Sequence, residues 1–417
     1  MARSRWGEVA PTRLLRRLVD LLGPTGGAAR LSLTALFFNS STSFVAGAIL
    51  VGFLDDFARL PGLLIMITPA IGLRGNVFST LGNRISTAIH TGEFRLSWRR
   101  DSVLVQNLAA SFCLTMLLSA VLAVVARMIA VVTGIEGAIG LLDLATVSVL
   151  GGLLGSIPVA IATVALAASA VRRDWDLDNL VAPTVSTLGD VLTIPALWLA
   201  TKALGHGAWT PSLGGLLIGL SVVATFVAWR SSGLILPQVV KESIPVLAVA
   251  LVLSALGGLV LQTQVSVLAV LPAILVLQPA FVSSAGALGG ILSGRVATGL
   301  HLGSVEPTLV PGRAVRSDLA FLAALAVPVV LFNAVGATAV AGLTGGSAPG
   351  IWWTLTASII AGIVTMTFVG IISYSATIGS WRIEMDPDST GVPVVTAGAD
   401  FIGTVVLVFT VVTLGLA

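Results

Sequence analysis

The feature that most constrains this chain is a succession of apolar stretches, each long enough to cross a bilayer. A membrane helix needs about 20 mostly apolar residues. Such stretches lie near 31–54, 60–90, 103–131, 141–171, 180–203 and 212–230, then near 244–265, 267–300, 318–343, 350–380 and 391–416. They predict an all-α polytopic membrane protein of about eleven spans, because backbone in lipid must satisfy its own hydrogen bonds. Composition excludes the alternatives. Of 417 residues, 56% are hydrophobic and 10% charged, against about 25% charged in a soluble domain. A soluble fold of this size could not cover its surface, and disorder is excluded by the same figures. The 45 glycines and 18 prolines suit helices that pack closely and sometimes break. Internal Pro and Gly within 60–90 and 267–300 predict broken or kinked helices there. The single cysteine, Cys113, excludes an internal disulfide and a thiolate metal cluster.

Basic residues orient the spans, since positive charge stays on the cytoplasmic side. With the N-terminus inside, most of the 22 basic residues fall in inner segments. Only Arg59 and Lys202 fall outside, and Arg74, Arg84, Arg127 and Arg295 lie within spans. This predicts a cell-membrane protein with a cytoplasmic N-terminus and an external C-terminus. The formal net charge of +3 reflects that asymmetry and not a nucleic-acid partner. Residues 1–30 are arginine-rich without an uninterrupted apolar core, so no cleavable signal peptide is read. Residues 12–22 read as a short amphipathic helix on the inner surface.

An internal repeat divides the chain. Arg172, Asp174, Asp176, Asp178, Pro183 and Asp190 recur as Arg382, Glu384, Asp386, Asp388, Pro393 and Asp400, every member displaced by about 210 residues. Upstream, Pro69-Ala70 leads to Arg84-Ile85-Ser86-Thr87, and Pro279-Ala280 leads to Arg295-Val296-Ala297-Thr298. The reading is a basic arm at 1–30, one repeat at 31–205, a linker with a connecting helix at 206–243, and a second repeat at 244–417. A unit of five spans would leave its neighbour inverted. The connecting helix restores parity, so both repeats run parallel about a pseudo-twofold axis along the membrane normal.

Two acidic side chains sit deep in spans, Asp190 and Asp400. Each lies about ten residues, or roughly 15 Å, past the inner start of its helix, near the bilayer midplane. An aspartate there costs about 2.5–3.5 kcal/mol. Two facing carboxylates in a low dielectric demand a cation or a shared proton. The plainer reading is a hydrogen bond to a neighbouring helix, or a pair with Arg84 or Arg295. One turn before each aspartate stand Ser186 and Thr396, whose carbonyls could face the same ion; the small residues around them also suit close packing. Asn76, in the expected break Leu73-Arg74-Gly75-Asn76, could offer an amide oxygen or serve as a helix cap. Its counterpart is Gly286, so a site at that level is asymmetric. Asp174, Asp176, Asp178, Glu384, Asp386 and Asp388 would ring the cytoplasmic mouth and concentrate cations, or simply solvate loops and cap helices. His90 and His301 read better as helix C-terminal caps than as ligands.

The segment from Pro69-Ala70 through Gly75-Asn76 to Arg84-Ile85-Ser86-Thr87 resembles the signature of MgtE-type magnesium transporters. The D-x-D-x4-P-x6-D stretch is similar to that family's last membrane helix. The tandem form resembles the solute carrier family 41 branch. The resemblance implies divalent cation transport, Mg²⁺ first, with Mn²⁺ or Co²⁺ possible. It implies a pore lined by the second and fifth spans of each half, with Asp190 and Asp400 as its aspartates. Ser186 and Thr396 would supply carbonyls and Asn76 the pore asparagine. One chain would then equal an MgtE dimer and act as a functional monomer, without the cytoplasmic CBS domain of bacterial relatives. A rival within transport is an exchanger coupled to Na⁺ or H⁺. A rival of another class is an Asp-rich intramembrane enzyme like a prenyltransferase, but D-x-D spacing does not put acids on one helix face. No enzyme motif is present.

Overall fold

The computed structural model describes residues 26–415 except 174–177, 206, 208, 233–234, 266–270, 309, 344–349 and 386. Among the described residues there are eleven long helices and no strand. They are α1 (Gly26–Ala58), α2 (Leu64–His90), α3 (Val103–Val132), α4 (Leu141–Arg173), α5 (Asp178–Thr201), α6 (Trp209–Trp229), α7 (Ile235–Thr263), α8 (Pro272–His301), α9 (Arg313–Leu343), α10 (Ile351–Arg382) and α11 (Pro387–Thr413). Ten are long and apolar enough to span a membrane; the described apolar run of α5, Thr187–Thr201, is shorter.

Local signals start and stop these helices. Ser102 caps α3, its Oγ accepting the Val105 N–H at 3.2 Å, which satisfies an orphan donor of the first turn. α2 and α8 end in the same way. Gly92 and Gly303 adopt φ of 75° and 70°, a left-handed conformation that costs glycine nothing. The N–H groups of Glu93 and Phe94 then return to the Ala88 carbonyl, and those of Ser304 and Val305 to Gly299.

The breaks expected within 60–90 and 267–300 are not where the sequence suggested. α2 runs unbroken through Pro69 and Asn76, and α8 through Pro279. Proline removes one helical hydrogen bond, the one its N–H would have made to the carbonyl four residues back. Pro69 therefore frees only the Ile65 carbonyl, one turn from the start of the helix. α7 closes over that spot: a Cβ added at Gly258 would strike the Ile65 carbonyl. On α8, α1 makes a matching approach, and a Cβ at Gly47 would stand 2.7 Å from Val276 Cα. A neighbouring backbone thus packs closely near the proline of both α2 and α8.

These contacts show how the bundle is tied together. α2 and α8 are its most enclosed spans. α1 lies along α8 and also touches α5, while α7 lies along α2, α3 and α11. Each therefore crosses onto the other half of the sequence. Asn39 and Ser40 of α1 hydrogen-bond Ser283 and Ser284 of α8 at 3.0 and 2.9 Å. At the far end of α1, the Trp198 indole of α5 donates to Asp56 at 2.6 Å and stacks on Phe53 at 4.5 Å. α6 sits at the edge, in the groove between α3 and α4. Phe57, Phe78 and Phe281 are among the largest fully buried side chains, joining the two halves in one core.

Close backbone approach makes a specific demand on glycine. Gly258→Val should lower stability by about 1–3 kcal/mol through overpacking. Gly52→Val, where an added Cβ meets nothing, should stay within about 0.5 kcal/mol. Unfolding in mixed micelles compares the two, and equal losses would contradict the contact.

Candidate functional site

Arg74 and Asp190 are the charged side chains that are buried among the described residues. Asp190, on α5, is 7% exposed, and Asp400, on α11, is half-buried. The fold sets both acids that the repeat singles out beside α2.

Asp400 sits in a seat made by two neighbouring helices. Its Oδ2 accepts a hydrogen bond from Ser254 Oγ of α7 at 2.8 Å. Gly72 of α2 lies alongside, where an added Cβ would stand 3.3 Å from Oδ2. Gly257 of α7 presses on the backbone of Asp400 and Phe401. Ser254 and Gly257 are one turn apart, so a single face of α7 supplies both the donor and the room. Beside the other acid, Gly189 brings α5 against Arg74 and Gly75 of α2, at 3.6 Å from an added Cβ. α2 thus touches the seats of both carboxylates.

Asn76 lines a small cavity with Gly72, Ser254 and neighbouring apolar residues. Its volume of about 10 Å³ is room for roughly one water. Asn76 lies mid-helix, its carbonyl accepting the Thr80 hydroxyl at 2.7 Å, so the helix-cap reading does not hold. Thr396 turns its hydroxyl back to the Pro393 carbonyl at 3.1 Å. A Cβ on Gly286 would stand 3.3 Å from Thr396 Cγ2. A larger side chain there would press on Thr396, which gives the asymmetry a packing reason. Ser186 has helical backbone, and its side chain is outside the described residues.

Of the proposed mouth acids, Asp174, Asp176 and Asp386 lie outside the described residues. Asp178 and Asp388 fall in the first turns of α5 and α11, with side chains not described. Glu384 is exposed in the turn after α10, at φ 59°. His301 ends α8 with its ring 4.9 Å from Trp381, and His90 ends α2.

The arginine partners considered for the aspartates are engaged elsewhere. Arg295 pairs with Asp318 at 2.6 Å. Arg84 reaches Ser243 at 3.5 Å and lies near Glu242. Sequence reasoning missed two residues of this region. Ser254 lies in a generic small-residue run and carries no motif. Arg74 was counted only as an in-span basic residue. It is 2% exposed and bonds the Gly151 carbonyl at 3.3 Å, while its Nε and one terminal nitrogen have no partner among the described groups. No three of His, Cys, Asp and Glu gather among the described residues.

The sequence profile of the MgtE family, described as a divalent cation transporter, matches residues 67–200 and 278–410. The chain belongs to the MgtE family. The family consists of transporters, so this is a multi-pass transport protein and not an enzyme. Solute carrier family 41 member 3 of Mus musculus is 24% identical over 371 residues, covering 84% of this chain and 75% of that one. Its Rattus norvegicus counterpart is 26% identical over 260 residues, covering 61% and 55%. Solute carrier family 41 member 2 of Xenopus laevis is 27% identical over 264 residues, covering 61% and 46%. The chain thus spans three quarters of the first relative and about half of the other two. Both MgtE matches begin beyond the crossing helices α1 and α7.

The Ser254–Asp400 bond is open to a double-mutant cycle. Ser254→Ala and Asp400→Ala should show a coupling of about 0.6–1.7 kcal/mol, the span of buried polar pairs in membrane proteins. Additive losses in micellar unfolding would mean the bond is not made.

Proposed function

We propose that this chain carries Mg²⁺ across the cytoplasmic membrane along a path between its two halves, with Asp190 and Asp400 as the charges that hold it. The observation that carries this reading is that two aspartates, one from each half, both lie beside α2, in a bundle whose described residues hold one other buried charge, Arg74. Facing carboxylates repel strongly where water is scarce, and a divalent cation cancels that repulsion. Magnesium binds oxygen octahedrally and keeps several of its waters. Two carboxylates, the Asn76 amide and the carbonyls of Ser186 and Thr396 would suit a partly hydrated ion. Hard oxygen donors do not favour zinc or copper over magnesium, while Mn²⁺ and Co²⁺ would fit the same set.

The repeats at 31–205 and 244–417 would form the two walls, together equivalent to a dimer of single-repeat chains. The two family matches and the repeated exit turns of α2 and α8 support that division. The arginine distribution supports a cytoplasmic N-terminus. Names of the solute carrier family 41 relatives support transport without specifying the ion. The six acids near 174–178 and 384–388 would raise cation concentration at the inner mouth.

Flux into proteoliposomes tests the reading. Asp190→Asn and Asp400→Asn should each lower Mg²⁺ uptake at least about tenfold, a loss of roughly 1.4 kcal/mol in ion stabilisation. Full uptake in both variants would remove the pair from the path. Uptake that follows an imposed Na⁺ or pH gradient would identify an exchanger, and indifference to both a passive channel. Asp176→Asn should slow uptake only modestly, and mainly at low ionic strength, because mouth charges act by screened attraction. A loss as deep as that of Asp190→Asn would move Asp176 into the binding site.

A further inference from the structure

An apolar groove of about 670 Å³ runs along the lipid-facing side of the second half, between α9 and α10. Its volume lies within the range of about 300–1,000 Å³ typical of small-molecule sites. Leu322, Ala326 and Val330 form one wall and Ile359, Gly362 and Met366 the other. Both sets recur at helical spacing, so the groove follows the helix axes. Gly362 sets its floor, where an added Cβ would stand 2.9 Å from a Val330 methyl. The hydroxyls that enter are already bonded. Tyr374 donates to the Thr308 carbonyl at 2.8 Å and Thr367 to Ile363 at 2.8 Å. Nothing polar in the groove waits for a partner.

The corresponding helices of the first half, α3 and α4, do not leave such a groove open. There α6 lies between them. Gly214 of α6 comes down on the Leu142 carbonyl of α4, and Leu217 packs with Ala120 and Val149. Among the described residues no helix covers the α9–α10 groove in the same way. One half fills this position from its own chain and the other leaves it to the bilayer.

One end of the groove is basic. Pro311 lines it, and Arg316 Nε donates to the Pro311 carbonyl at 3.1 Å. Arg313 is exposed two residues away. Arg382 reaches into the same loop, bonding the Pro307 carbonyl at 2.7 and 3.1 Å. The acids close to this end are Asp318, which is paired with Arg295, and the exposed Glu306 and Glu384. Guanidinium groups bind phosphate well, and basic pockets between membrane helices take anionic headgroups. A further apolar helix would gain nothing from those charges.

We propose that the α9–α10 groove is a binding site for one anionic phospholipid, with an acyl chain between the helices and the phosphate at Arg313 and Arg316. The site is separate from the Asp190–Asp400 pair and does not depend on the ion carried.

Native mass spectrometry of the purified full chain tests it, after detergent exchange and titration with phosphatidylglycerol or phosphatidylcholine of identical chains. One phosphatidylglycerol should be retained per protein, in preference to phosphatidylcholine. Arg313→Gln combined with Arg316→Gln should weaken phosphatidylglycerol about tenfold or more and erase the preference, since each juxtamembrane arginine contributes roughly fivefold. Thr367→Trp, which fills the groove from its exposed rim, should remove retention of both lipids while the chain stays monodisperse. Equal binding of both lipids by the unmodified chain, or phosphatidylglycerol retention unchanged in Thr367→Trp, would overturn the proposal. So would a Thr367→Cys chain that cross-links to a second copy in membranes, which would make the groove a protein interface.

Discussion

Close backbone packing around two aspartates inside an apolar bundle shapes the helices that meet there. Glycine stands where each seat needs backbone to come close: Gly72 and Gly257 around Asp400, Gly189 beside Asp190. A single hydroxyl, Ser254, answers one oxygen of Asp400. Arg74, the other buried charge, points to the Gly151 carbonyl on α4 and not to either acid. Among the described residues, none of the in-span arginines Arg74, Arg84 and Arg295 pairs with either acid.

The exchange of first helices makes that seat a property of the whole chain. α1 lies on α8, and α7 lies on α2. Asp400 comes from one half, its neighbour Gly72 from the other, and its donor Ser254 from a helix that has crossed between them. Hydrogen bonds from Asn39 and Ser40 to α8 tie the opposite crossing. The Asp400 seat thus needs both halves, whereas Gly189, Arg74 and Gly75 beside Asp190 all come from the first. The same crossings bring Gly258 of α7 onto the Ile65 carbonyl that Pro69 leaves free, and Gly47 of α1 onto Val276 near Pro279.

The helices were legible because a span in lipid needs about 20 apolar residues in a row, a signal little affected by tertiary context. The stretch read at 103–131 is α3, Val103–Val132. The two aspartates were legible because acids are scarce in such runs. The continuity of α2 was not legible. Pro69, Gly75 and Asn76 look like a break, yet the helix runs through all three, with Gly258 of α7 close against it. The crossing of α1 and α7 leaves no local trace either, because a lipid-facing and a protein-facing apolar residue read alike. Ser254 was invisible for a related reason: small hydroxyl residues abound here, and only the neighbouring carboxylate distinguishes it. The mouth acids were legible as a repeated pattern, but most of their side chains fall outside the described residues.

The unequal counterparts Asn76 and Gly286 have a consequence for how such a protein can change. In an assembly of two identical chains, one altered codon alters both walls of a shared path at once. In a tandem chain each wall has its own codon. Here α2 keeps an amide beside a water-sized space, while α8 carries a glycine where it meets Thr396. The side chain at this position can be adjusted in one half while helix packing is preserved in the other, a division of labour that two identical copies cannot reach.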